Sequence, residues 1–139
     1  VTAVLGTVAW TCDDALLVTA SSDAAMDVWC GRSGAHLRAL TLSQAQPAHT
    51  REVYVFECHP TQRHLGFSAS YDGTMVLWDL VAGEMLRQLE QPRLDEYSEV
   101  LDGHWGPDGH AIALTDLGGR LSLYTLGLGA AAPPMIVGP

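Results

Sequence analysis

One pattern recurs along this chain and limits what it can fold into. Its clearest copy runs Phe67-Ser68-Ala69-Ser70-Tyr71-Asp72-Gly73-Thr74-Met75-Val76-Leu77-Trp78-Asp79. An earlier copy runs Val18-Thr19-Ala20-Ser21-Ser22-Asp23-Ala24-Ala25-Met26-Asp27-Val28-Trp29-Cys30. A worn third runs Leu114-Thr115-Asp116-Leu117-Gly118-Gly119-Arg120-Leu121-Ser122-Leu123-Tyr124-Thr125. The aromatic positions Trp29, Trp78 and Tyr124 stand 49 and 46 residues apart. A period of that length belongs to radially repeated β-structure, in which each unit buries its faces against its neighbours.

Each copy reads as short strands joined by turns. In the second, Val53 to Cys58 is a mostly apolar run, as expected for an inner strand buried on both faces. His59-Pro60-Thr61-Gln62 breaks it, because proline cannot continue a ladder. Leu65 to Ala69, Thr74 to Trp78 and Met85 to Leu89 complete four strands, with turns at Asp72-Gly73 and Val81-Ala82-Gly83-Glu84. The first copy fits the same frame from Thr7 to Leu40. The third supplies Glu99 to Trp105, Ala111 to Thr115 and Arg120 to Leu126, and no fourth strand. The fold class is therefore all-β: a β-propeller fragment of about three four-stranded antiparallel blades, the last incomplete. The propeller segment covers 1–129, with blades at 1–40, 49–89 and 99–126. Thr41 to Ala48 and Glu90 to Ser98 are surface insertions, and the Ala- and Pro-rich 130–139 reads as a linker or tail.

Composition sets further bounds. The 139 residues are 47% apolar, enough for a real core. No apolar run approaches the roughly 20 residues of a membrane-spanning helix, and no charged-then-apolar leader opens the chain. Val1 falls inside a repeat, so the sequence reads as a piece of a longer protein. A net charge of −9 and a pI near 4.8 argue against direct contact with nucleic acid, which needs a basic surface. The acidity serves solubility, or a basic partner such as a histone tail. Cys12, Cys30 and Cys58 form no CxxC pair and are odd in number. They read as buried, reduced thiols of a nuclear or cytosolic protein.

The copies resemble WD repeats, in which a His, a Ser or Thr, an Asp and a Trp form a hydrogen-bonded chain inside each blade. On the second copy the implied chain is His49, Ser68, Asp72 and Trp78. Their chemistry suits it. Asp72 can accept from turn N–H groups and from His49, while Ser68 can meet both the other His49 nitrogen and the Trp78 indole. The first copy keeps Thr19, Asp23 and Trp29, and its His would precede Val1. The third has Leu114, Gly118 and Tyr124 instead. That blade is expected to rest on apolar packing and to be the least rigid.

Finer details are similar to the last blades of the bromodomain-and-WD-repeat family. They include Val8-Ala9-Trp10, Glu52-Val53-Tyr54-Val55-Phe56-Glu57, His59-Pro60, Trp78-Asp79-Leu80, Pro107-Asp108-Gly109 and Gly127-Leu128-Gly129. The resemblance implies a nuclear scaffold in a chromatin-associated regulator of transcription and of cell shape, with a cytoplasmic location as the alternative. It also implies an alternative function, the substrate-receptor propeller of a cullin-type ubiquitin ligase that docks an adaptor. Such receptors carry Trp-Asp-x-Arg. Here Trp29-Cys30-Gly31-Arg32 keeps the Arg, and Trp78-Asp79-Leu80-Val81 keeps the Asp.

Catalysis finds little footing. Asp102-x-His104 and Glu57-x-His59 each put two possible ligands on one side of a strand, but no third follows at ligand spacing, so no metal is expected. Ser68, His49 and Asp72 look like a nucleophilic triad, yet all three belong inside a blade, with no open position and no oxyanion site. Gly118-Gly119 and Gly127-x-Gly129 lack the strand-then-helix setting of a phosphate loop. A propeller hydrolase would gather polar residues at its channel, and Thr7, Arg51, Glu52 and Glu99 form no acid–base set. No enzyme, catalytic residue or cofactor is expected. A protein or peptide partner is. Its candidate contacts are Arg51, Tyr54 and Tyr71 in the second copy, with Ser22 and Arg32 in the first.

Overall fold

The computed structural model describes residues 3–42, 48–90, 99–125 and 135–137. The insertions at 43–47 and 91–98, and most of the stretch after Thr125, lie outside the described residues. Twelve strands are present and no helix is found among the described residues. The first sheet holds β1 (Leu5–Trp10), β2 (Leu16–Ser21), β3 (Met26–Cys30) and β4 (His36–Ala39). The second holds β5 (Val53–Cys58), β6 (Leu65–Ser70), β7 (Thr74–Asp79) and β8 (Glu84–Glu90). The third holds β9 (Val100–Trp105), β10 (Ala111–Asp116), β11 (Leu121–Thr125) and β12 (Met135–Val137). Each is an antiparallel meander in chain order.

The third sheet departs from expectation. Met135–Val137 pairs with Leu121–Leu123. The blade that lacked an outer strand in the sequence thus has one, drawn from residues read as a tail. A three-residue strand is too short to show alternation, and the Gly and Pro before it hide its start.

Two apolar cores lie between the sheets, and strand periodicity explains both. Alternate residues of a strand face opposite sides. Val53, Phe56, Val76 and Trp78 of the second sheet pack with Leu16, Val18, Ala20, Met26 and Val28 of the first. Val55, Phe67, Ala69, Met75 and Leu77 pack with Val100, Ile112, Leu114 and Tyr124 of the third. The middle sheet is covered on both faces, so its β7 is buried along almost its whole length and reads as a nearly continuous apolar run.

Polar contacts reinforce the joints. The Nη1 of Arg38 donates to Leu80 O at 2.9 Å, and Arg63 meets Asp13 at 2.9 Å across the first joint. Across the second, Glu57 accepts from Trp105 N at 2.9 Å, and His59 Nε2 donates to Gly109 O at 3.0 Å. Gly103 fits for a steric reason: a Cβ there would lie 2.3 Å from Leu114 Cδ2. Leu114 stands at the Ser68-equivalent position, and its strand partner is Gly103 where Ser68 has Phe56.

Candidate functional site

The polar residues of the second blade meet inside it. Trp78 Nε1 donates to Ser68 Oγ at 2.9 Å, and His49 Nε2 stands 2.7 Å from the same oxygen. His49 Nδ1 lies 2.9 Å from Thr74 Oγ1, whose hydroxyl donates to Asp72 at 2.6 Å. The N–H groups of Thr50 and Thr74 also donate to Asp72, each at 2.8 Å. One arrangement passes every proton toward the carboxylate: indole to Ser68, Ser68 to His49, His49 to Thr74, Thr74 to Asp72. Burial opposes ionisation of Asp72, but the nearby His49 and the bonds from Thr74 and Thr50 outweigh it and hold its carboxyl well below the usual range.

Thr74 is the residue that sequence reasoning missed. His49 approaches Asp72 directly only at 3.4 Å, with Thr74 bridging between them. The signal was the Asp-x-Thr spacing, since Asp side chains bond backbone and hydroxyl groups two residues on.

The first blade keeps half of this. Trp29 Nε1 donates to Thr19 Oγ1 at 2.9 Å. Asp23 instead serves its own turn, accepting from the Ser21 hydroxyl and from Ala25 N. Ala25 stands where Thr74 would bridge, and Ala24 holds a φ of 68°, where Gly73 sits at 84° in the second blade.

The third blade is wired differently. Arg120 Nε donates to Asp116 Oδ2 at 2.7 Å and its N–H to Oδ1 at 3.0 Å, with both side chains buried. The blade expected to rest on apolar packing therefore has a buried ion pair closing the same turn. Leu114 takes the Ser68 place, and Tyr124 takes the Trp place, across the ladder from Ile112. Its hydroxyl is buried with no partner among the described residues, and burial pushes the phenol up to about 12.

Arg51, Tyr54 and Tyr71 gather at one end of the second blade. The two tyrosine rings stack at 3.8 Å and 22°. Arg51 lies 5.6 Å above the Tyr71 ring and donates to Glu99 at 2.8 Å, linking the second and third blades. Tyr54 donates to Glu52 at 2.6 Å, a bond that raises its phenol beyond the ordinary value. Ser22 is exposed at the matching corner of the first blade, where its hydroxyl accepts from Val4 N. Arg32 lies at the opposite end, in the β3–β4 turn, beside a cleft of about 510 Å³ lined also by Trp10, Asp14 and Gly31. The structure does not bring it to the other four.

The thiols also differ from expectation. Cys12 is exposed, and Cys30 and Cys58 are half-buried. Cys30 occupies the turn position of Asp79, and bonds from the Ser33 hydroxyl and the N–H groups of Ser33 and Arg32 lower its thiol to about 7. Burial raises Cys58 to about 12. His59 is buried, bonded at Nδ1 by Thr61 N and Gln62 N. His104 lies between Glu57 at 2.5 Å and Asp102 at 3.4 Å. No group of three metal-ligating side chains forms among the described residues.

Four-stranded antiparallel meanders packed face to face, the second with this polar chain inside it, define a class: the units are WD-repeat propeller blades. The model of the WD domain, G-beta repeat, matches residues 40–79. The chain is 33% identical over 125 residues to a bromodomain and WD repeat-containing protein of Dictyostelium discoideum, covering 88% of this chain and 5% of that protein. It is 33% identical over 110 residues to coronin-7 of Bos taurus, covering 78% of this chain and 12% of the relative. The rat coronin-7 is 32% identical over 110 residues. The chain thus spans a small part of these relatives.

Proposed function

We propose that this segment is a non-catalytic interaction platform in a nuclear, chromatin-associated regulator of transcription. The observation that carries the platform is the Arg51–Tyr54–Tyr71 cluster. Its aromatic and guanidinium groups stand at a blade end while the catalytic-looking His49, Ser68 and Asp72 are locked inside. Tyr and Arg suit recognition, because they offer large contact area and directed hydrogen bonds. The similarity to a protein whose name joins bromodomain and WD repeat supports the chromatin setting. The acidic balance supports a basic protein partner, with histone tails as the first choice. The ligase-receptor reading has less behind it. Val81 stands where its motif has Arg, and Asp79 already caps its own turn through Val81 N and Ala82 N.

The test is nuclease release of chromatin from cells making the tagged full-length protein. The protein should leave with nucleosomes, and Tyr54→Ala with Tyr71→Ala should shift it to the soluble fraction. A wholly cytoplasmic, nucleosome-free distribution of the unmutated protein overturns the reading.

A further inference from the structure

We infer that the channel end of the second and third blades takes an extended basic peptide anchored by one bulky apolar side chain. The inference rests on the platform reading and gives it a partner chemistry. Every blade offers two equivalent positions at this end. One is the inner-strand residue that the ladder skips: Gly6, Tyr54 and Leu101. The other follows the second strand and bonds back to the residue before the inner strand. Its members are Ser22 to Val4 O at 2.8 Å, Tyr71 to Glu52 O at 3.3 Å and Leu117 to Glu99 O at 3.0 Å.

The pairs are thus Gly6 with Ser22, Tyr54 with Tyr71, and Leu101 with Leu117. The first blade is an internal control. It has Gly6 and Ser22 at the two positions, so the fold does not require apolar side chains there. Yet Tyr54, Leu101 and Leu117 stay 42%, 42% and 50% exposed. Apolar surface left in water forgoes roughly 25 cal/mol per Å² that burial would return. Exposed single leucines are ordinary, but here two blades repeat the substitution at both positions.

Charge selects the partner. Asp23, Glu52, Glu99 and Asp102 lie at this end, while its arginines are already engaged, Arg51 on Glu99 and Arg120 buried on Asp116. Size selects its form. A stable interface between folded proteins needs roughly 800 Å² from each partner, more than four side chains on two blades present. A short extended segment fits, with its Lys or Arg on the carboxylates and its apolar residue against Tyr54, Leu101 and Leu117.

The experiment measures anisotropy of labelled peptides of about ten residues with the full-length protein, at salt from about 50 to about 300 mM. The set is a Lys/Arg-rich peptide with one Phe, its Phe→Ser version and an acidic version. The basic Phe peptide should bind tightest and weaken with salt. Leu101→Ser with Leu117→Ser should cost about tenfold without lowering the melting temperature, and Ser22→Ala should change nothing. Equal binding of the acidic peptide, or an unchanged affinity in the double Ser variant, overturns the inference. If Tyr54→Ala and Tyr71→Ala abolish binding while the leucine variants do not, the platform stands and the two-blade site falls. If no peptide binds, this inference falls, and the platform is judged by its own chromatin test.

Discussion

His59 Nε2 stands 3.0 Å from the carbonyl oxygen of Gly109, and this bond joins the second blade to a hairpin turn of the third. The contact needs glycine twice. Gly109 has a φ of 74°, and a Cβ there would lie 2.2 Å from the His59 ring. Gly109→Ala must therefore adopt a left-handed conformation, at about 1–2 kcal/mol, and also displace a buried imidazole. A total loss of about 2–4 kcal/mol is expected, visible as a lower denaturant midpoint. Gly119→Ala is the control. It has a φ of 77° but open space around its Cβ, so it should lose only the conformational part.

Tyr124 gives a prediction of the opposite sign. Its hydroxyl is buried with no partner among the described residues, and Leu114 stands at the position where the second blade has Ser68 to receive Trp78. An unmet buried hydroxyl costs about 1–3 kcal/mol. Tyr124→Phe removes the group and keeps the ring. Thermal unfolding should be unchanged or shift upward, and a clear drop in melting temperature would show that the hydroxyl has a partner.

Acid should act through Asp72. Its folded pKa is depressed, so its contribution is complete above the unfolded value near 4 and fades as pH falls toward the lowered folded value. Asp72→Asn should be less stable at neutral pH and should show a flatter decline between about pH 4 and pH 2. Calorimetry across that range checks it, and parallel slopes for the two proteins would remove Asp72 from the account.

His104 titrates in the other sense. The bond to Glu57, aided by Asp102, raises its pKa. Its share of the second joint is present below about 6.5 and fades as pH rises through the raised value. Exposure keeps that share small. The measurement is the imidazole titration by NMR. Glu57→Gln should bring its midpoint down, and an unmoved midpoint would assign the shift elsewhere.

Much of this architecture is legible in the residues, and the gaps have physical causes. Trp29, Trp78 and the turns at Asp72-Gly73 and Gly118-Gly119 mark the period because each has a local geometric demand. The apolar runs Val53–Phe56 of β5 and Met75–Trp78 of β7 announce a sheet covered on both faces. Two features escaped. Met135–Val137 joins the third sheet through partners on Leu121–Leu123, a pairing set by tertiary contact. The Asp116–Arg120 pair replaces the missing turn carboxylate from two residues earlier, so a search at the Asp72-equivalent position finds only Gly118. At the candidate site, Arg51, Tyr54 and Tyr71 could be named from their places in the repeat. The skipped pairing that exposes Tyr54 and Leu101 alike appears only in the register.

Tyr71 and Asp72 are adjacent in sequence and should separate cleanly by experiment. Asp72 receives Thr50 N, Thr74 N and the Thr74 hydroxyl, and its side chain is 8% exposed. Asp72→Ala strands these donors and frees His49 from its chain, at a cost of about 1–3 kcal/mol. Tyr71 contributes its ring to the stack with Tyr54, while the bond from Arg51 goes to its backbone oxygen, which any residue supplies. Tyr71→Ala should therefore keep the melting temperature within a small margin and weaken partner binding. Asp72→Ala should lower the melting temperature. Equal thermal losses from the two substitutions would mean that the stacked tyrosines hold the blade together, and the case for an exposed recognition pair would fail.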